Sequence, residues 1–107
     1  MIYRIWHGWT HPENADSYQR LLHEEIVPGI TARRIRGLQS IDILRRDDDG
    51  DEVEFVTMMR FDGWSAVQEF AGDRSETSVV PASARRLLSR YDTESQHYEF
   101  IARHSNE

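Results

Sequence analysis

Residues 38–61, LQSIDILRRDDDGDEVEFVTMMRF, constrain the fold more than any other stretch. Two runs rich in Ile, Val, Phe, Thr and Met flank Asp47-Asp48-Asp49-Gly50-Asp51, and Asp-Gly between apolar runs marks a β-hairpin. In the second run the two-residue period sets Val53, Phe55, Met59 and Phe61 on one face and Val56 and Met58 on the other, so neither face reads as solvated. An antiparallel sheet commonly wets one face; this one calls for cover on both. A single layer of helices supplies half of it.

At 107 residues the chain has room for one domain with a real core and none for a second. With 30% charged, 38% hydrophobic and 10% aromatic residues it is polar for a globular domain, yet too aromatic for a disordered one. The net charge of -6, from 19 acidic and 13 basic residues, argues against nucleic acid or an anionic membrane as partner. Cysteine and lysine are both absent, which removes thiolate nucleophiles, disulfides, thiolate metal sites and Schiff-base chemistry. The first residues lack the pattern of a signal peptide and no apolar run reaches membrane-spanning length, so a cytoplasmic protein is expected.

Residues 2–9, IYRIWHGW, read as a strand covered on both sides, with Ile2, Arg4, Trp6 and Gly8 on one face and Tyr3, Ile5, His7 and Trp9 on the other. Beyond Pro12, with Asn14 or Asp16 as cap, the spacing of Ala15, Tyr18, Leu21, Leu22 and Ile26 predicts an amphipathic helix over 13–26 that Pro28-Gly29 ends or kinks. Arg33-Arg34-x-Arg36 reads as a solvated helix end. After the hairpin, Asp62 is the expected cap of a helix over 63–71 with Gly72 just past it, and residues 73–78 a loop. Pro81 then opens a further helical segment carrying Ala84, Leu87, Leu88 and Tyr91, and residues 93–102 form the last strand. Residues 1–102 thus make a single domain and 103–107 a loose tail. Strand, helix, strand, strand, helix, strand is the α+β, ferredoxin-like βαββαβ plan: a four-stranded antiparallel sheet with helices on one face.

The opening Ile2-x-Arg4-Ile5-Trp6-His7-Gly8, the Phe70-Ala71-Gly72-Asp73 of the second helix and the closing His97-Tyr98-Glu99 resemble stand-alone members of the antibiotic biosynthesis monooxygenase family, across residues 2–100. The resemblance implies a dimeric α/β barrel in which two ferredoxin-like sheets face each other, so that a second copy supplies the missing cover. It implies either cofactor-independent oxygenation of electron-rich phenols or quinols, or haem degradation. The haem-degrading pattern is not met: residues 2–9 hold no Asn, Phe61 stands where its Trp would fall, and no His lies between Met58 and Ser95. Val79-Val80 replace an aromatic pair that the family tends to carry before the helix proline, which alters part of a cavity wall.

A cofactor-free oxygenase needs an apolar pocket, a base, and a donor that stabilises the substrate anion. If Phe55, Thr57, Met59 and Phe61 turn into the space between the two sheets, Arg4, Trp6, Ser40, Asp42, Leu44, His97 and Glu99 join them there, while Ile41 and Ile43 pack on the chain's own helices. His97 is then the candidate base and Arg4 the candidate anion stabiliser, with Trp6, Asp42, Leu44, Phe55, Thr57, Met59, Phe61 and Glu99 as substrate contacts. No cofactor and no metal is expected. His7-x-x-x-His11 falls at a strand end, and residues 47–51 are too few for a calcium loop.

The function expected is a cofactor-independent, monooxygenase-like enzyme that acts on a small hydrophobic aromatic substrate between the sheets of a homodimer. An alternative uses the same residues differently: Arg4, Asp42 and Glu99 as an interface ion network and Trp6, Met59 and Phe61 as core, in a non-catalytic binding or regulatory module. Recognition of RNA fails on charge and on the missing basic, aromatic third-strand motif.

Overall fold

The computed structural model describes residues 1–47, 50–72 and 78–106. The hairpin forms where Asp-Gly places it: β2 (Leu38–Asp47) pairs antiparallel with β3 (Val53–Phe61). Asp48 and Asp49 of its tip, and residues 73–77 of the expected loop, lie outside the described residues. β1 (Ile2–Thr10) runs along the other edge of β3, from Ile2 opposite Phe61 to Thr10 opposite Val53.

The free edge of β1 takes two short strands where the sequence led us to expect one long one. β4 (Leu88–Tyr91) pairs with residues 8–10 and β5 (Gln96–Glu99) with residues 2–5, both antiparallel. Together they fill the fourth lane of a ferredoxin-like α+β sheet. Leu88–Tyr91, expected as helix, is strand because the backbone groups at this end of β1 need partners, and α4 (Ala82–Arg85) stops after one turn.

The lane breaks at Asp92, where side-chain and main-chain oxygens stand in for the missing strand. Asp92 Oδ2 accepts the His7 backbone N–H at 3.3 Å and lies 2.9 Å from His7 Nδ1. The Asp92 carbonyl accepts Trp6 Nε1–H and the Ser78 hydroxyl, each at 2.8 Å. Asp92→Ala should lower stability by about 1–3 kcal/mol, the usual cost of stranding partly buried polar groups. An unchanged melting temperature would contradict that.

Cross-strand register settles which face is which. Ile41 lies opposite Met59 and Met59 opposite Arg4; Ile43 lies opposite Thr57 and Thr57 opposite Trp6; and Arg4 lies opposite His97. All of these point to the same side, and that side is under the helices. Ile41 and Ile43 pack on the helices as expected, whereas Arg4, Trp6, Phe55, Thr57, Met59 and Phe61 do so against expectation. Alternation separates two faces without saying which is covered, and the register couples the strands so that the two assignments exclude each other. Asp42 and Leu44 turn to the helix-free face and are exposed.

α1 (Pro12–Leu21) carries Pro12 in its first turn behind His11, and neither Asn14 nor Asp16 caps it. Its buried stripe of Ala15 and Tyr18 continues into Leu22. Pro28-Gly29 does not end the helical path. A π-helical turn (Leu22–Ile26) leads into α2 (Val27–Ala32), with the Val27 N–H bonded to the Leu22 carbonyl. Widening the turn just before the proline relieves the clash its ring would make with the carbonyl four residues back.

α3 (Trp64–Ala71) ends at Gly72, whose φ of 78° only glycine adopts readily. It begins at Gly63, because Asp62 accepts from Gln39 Nε2 at 2.6 Å instead of capping the helix. Arg33, expected as a solvated cation at its own helix end, follows α2 but donates to the Glu69 and Phe70 carbonyls at the end of α3, at 3.1 to 3.3 Å. No helix of the described residues is long and apolar enough to cross a membrane.

Candidate functional site

Gly8 makes room for the first element of the site. A Cβ there would lie 2.6 and 2.8 Å from Trp6 Cη2 and Cζ3 and 3.0 Å from Leu88 Cδ2, so the Trp6 indole lies flat along the sheet over the glycine. Its Nε1–H is held by the Asp92 carbonyl at 2.8 Å. Gly8→Ala should cost about 1–3 kcal/mol through overpacking. It should also displace the indole, seen as altered Trp fluorescence; a native spectrum and melting point would contradict this.

Six side chains in two cross-strand rows form the floor of a cavity: Ile41, Met59 and Arg4 in one row, Ile43, Thr57 and Trp6 in the other. The roof is Tyr18 and Leu22 of α1 and the π turn, with Ile26, Val27 and Ile30 beyond them. Phe70, residues 79–81, Ala84 and Ser95 close the sides. The cavity offers about 60 Å³ to the centres of water-sized atoms. That suffices for a few waters or one small group, and a flat ring system would have to part the roof from the floor.

Arg4 is the one charged side chain among the described wall residues, and it is 3% exposed. Its Nη1 lies 2.9 Å from His97 Nε2. Arginine only donates, so Nε2 is the acceptor and the imidazole proton sits on Nδ1. The guanidinium also stands 5.3 Å from the centre of the Phe70 ring. Burial lowers its pKa to about 10, which leaves it a cation at neutral pH.

The residues marked by sequence divide into four groups. Arg4, Trp6, Thr57 and Met59 line the cavity. Phe55 and Phe61 lie within the core, both 0% exposed, Phe55 edge-on to Tyr18 at 4.9 Å and Phe61 against Phe70 at 6.0 Å. His97 is half-buried between Arg4 and the Trp64 ring, 5.3 Å away, and is not part of the wall. Glu99 sits exposed at the sheet edge opposite Ile2, while Asp42 and Leu44 are on the helix-free face. Asp42, Leu44 and Glu99 therefore do not meet the others at the cavity.

Sequence reasoning missed Tyr18, Ser95 and the apolar roof. Tyr18 reads only as part of a helical stripe, and a stripe does not show where the sheet beneath it is hollow. Burial raises the pKa of its hydroxyl, which stays protonated. Among the described residues no group of three His, Asp or Glu side chains is placed to hold a metal ion.

A ferredoxin-like sheet, one helical layer and a cavity between them define an α+β protein of ferredoxin-like fold. Among solved structures the chain is similar to a Bacillus cereus protein described as a candidate antibiotic biosynthesis monooxygenase, with a TM-score of 0.67, 11% identity, and 98% of this chain and 97% of that one covered. It is similar also to Rv0793 from Mycobacterium tuberculosis, with a TM-score of 0.60, 21% identity, and 97% and 98% covered. At these identities the likeness concerns the fold. Neither protein-family models nor curated proteins give a match.

Proposed function

We propose that the protein is a cofactor-independent, monooxygenase-like enzyme acting on a small hydrophobic phenol or quinol in the cavity between the sheet and its own helices. One observation carries this reading: a buried guanidinium, Arg4, the one charged side chain among the described residues on the wall of a mostly apolar cavity. A cation with little water around it favours the anion of a weakly acidic phenol or enol, and that anion is the form that gives an electron to dioxygen. For an anthrone-type substrate the methylene loses a proton to solvent and the carbanion adds dioxygen. The O–O bond then breaks as the second C–H proton leaves, giving a carbonyl and, with the protons returned, water. The substrate supplies all the electrons.

In this scheme His97 is a positioning residue, because its Nε2 lone pair is engaged by Arg4 and His97 is not part of the described cavity wall. The test is oxygen uptake by the purified protein with a panel of anthrones and quinols. Uptake matched by one carbonyl formed per dioxygen supports the proposal, and silence across the panel overturns it. A second reading, the non-catalytic small-molecule-binding module, is favoured by the lack of a carboxylate or imidazole among the described wall residues. Tight binding of panel compounds without oxygen uptake would establish it.

The proposal includes a homodimer. The helix-free face carries Tyr3, Ile5, Trp9, Val56 and Met58, with Leu44 and Tyr98 51% and 55% exposed, a surface suited to a second copy. Sedimentation at micromolar concentration should give twice the chain mass; a folded monomer would contradict this part.

A further inference from the structure

Tyr18 has no place in the scheme above and is chemically the odd member of the roof. It is 1% exposed, it lines the cavity, and its hydroxyl has no hydrogen-bond partner among the described residues. The hydroxyl is not among the described side-chain atoms closed off without a partner, so it keeps contact with the space in the cavity: water when empty, a ligand when loaded. We infer that the Tyr18 hydroxyl is a second anchor for the ligand, hydrogen-bonding an oxygen at the end of the molecule away from Arg4.

Strand register supports two separate ends. Tyr18 stands edge-on to Phe55, whereas Arg4 lies opposite Met59. Those two β3 positions are four residues apart, about 13 Å along a strand. The intervening floor is Thr57 and Trp6, and the lining between the two polar groups is mostly apolar. Such a site selects a planar aromatic ligand with an oxygen at each end over one with a single oxygen. Burial keeps the Tyr18 hydroxyl neutral, so it can donate as well as accept.

This inference rests on the cavity being the binding site, and the experiment separates the two. Affinities of 2,6-dihydroxynaphthalene and 2-naphthol would be measured by calorimetry for the wild-type protein and Tyr18→Phe. The wild type should favour the diol by roughly three- to tenfold, the span of one neutral hydrogen bond, and Tyr18→Phe should abolish that preference while binding 2-naphthol as before. Tyr18→Phe should melt no lower than the wild type, because the lost hydroxyl has no partner among the described residues, and equal melting shows that a folding defect does not imitate the result. If both proteins bind the probes with an equal preference, the Tyr18 inference is overturned and the cavity reading stands. If neither probe binds the wild type, both are overturned.

Discussion

Arg4→Met should lower turnover of an anthrone or quinol by roughly a hundredfold or more, the scale on which enzymes lose a single group that stabilises a developing anion. Methionine fills similar volume without the charge, and leaving the half-buried His97 Nε2 without its donor should cost about 1–3 kcal/mol. The melting temperature should therefore fall modestly, while activity per folded molecule collapses. Arg4→Lys should restore only part of the rate, since a point charge cannot keep both the bond to His97 and a planar donor toward the substrate. The pH profile gives an independent check. A neighbouring cation favours the anion, so the inflection for a bound phenol should fall about 1–3 units below its free value near 10, and in Arg4→Met it should return upward.

The same profile decides between the two roles open to His97. As a base, His97 would carry a neutral-range inflection that vanishes in His97→Ala. As the residue that orients Arg4, it would leave the inflection in place and lower the rate less than loss of Arg4 does. The geometry at Nε2 leads to the second outcome.

Phe61→Ala should destabilise the fold by about 3–5 kcal/mol, the range for removing a large aromatic from a closed core. Phe61 is 0% exposed, lies opposite Ile2, and packs with Val67 and Phe70. For a domain of this size each kilocalorie shifts the melting temperature by about 4–8 °C, so the variant should melt tens of degrees lower or fail to fold at 37 °C. Phe61→Leu, a milder loss, should keep ligand affinity per folded molecule, because Phe61 is not part of the described cavity wall. A Phe61→Leu protein of native stability that no longer binds would place Phe61 at the site after all.

Much of the fold was legible because the relevant signals are local. Asp-Gly set the hairpin, Gly72 set the end of α3, and the stripe of Ala15, Tyr18 and Leu22 set the buried side of α1. What misled was long-range. The pattern of Ala84, Leu87, Leu88 and Tyr91 suits a helix, yet Leu88–Tyr91 is drawn into pairing with an edge of β1 some eighty residues earlier. Pro28 reads as a stop, and a π-helical turn before it lets the helical path pass.

The site was half legible for a similar reason. Period two grouped Arg4 with Trp6 and Thr57 with Met59, and all four line the cavity. Only the register, with Ile41 and Ile43 in the same two rows, shows that their side of the sheet is under the helices. Asp42 and Leu44 were thereby separated from them. Tyr18 was unreadable as a site residue, since its distinction is a place on the wall of a hollow that no linear pattern reports.

The most direct test of where and how the protein works is an anaerobic crystal structure with an anthrone bound. The rings should lie between the floor of β1 and β3 and the roof of α1 and the π turn, with an anthrone oxygen within hydrogen-bond distance of the Arg4 guanidinium. An anthrone ordered instead on the helix-free face, away from Arg4 and beside Asp42 and Leu44, would contradict this.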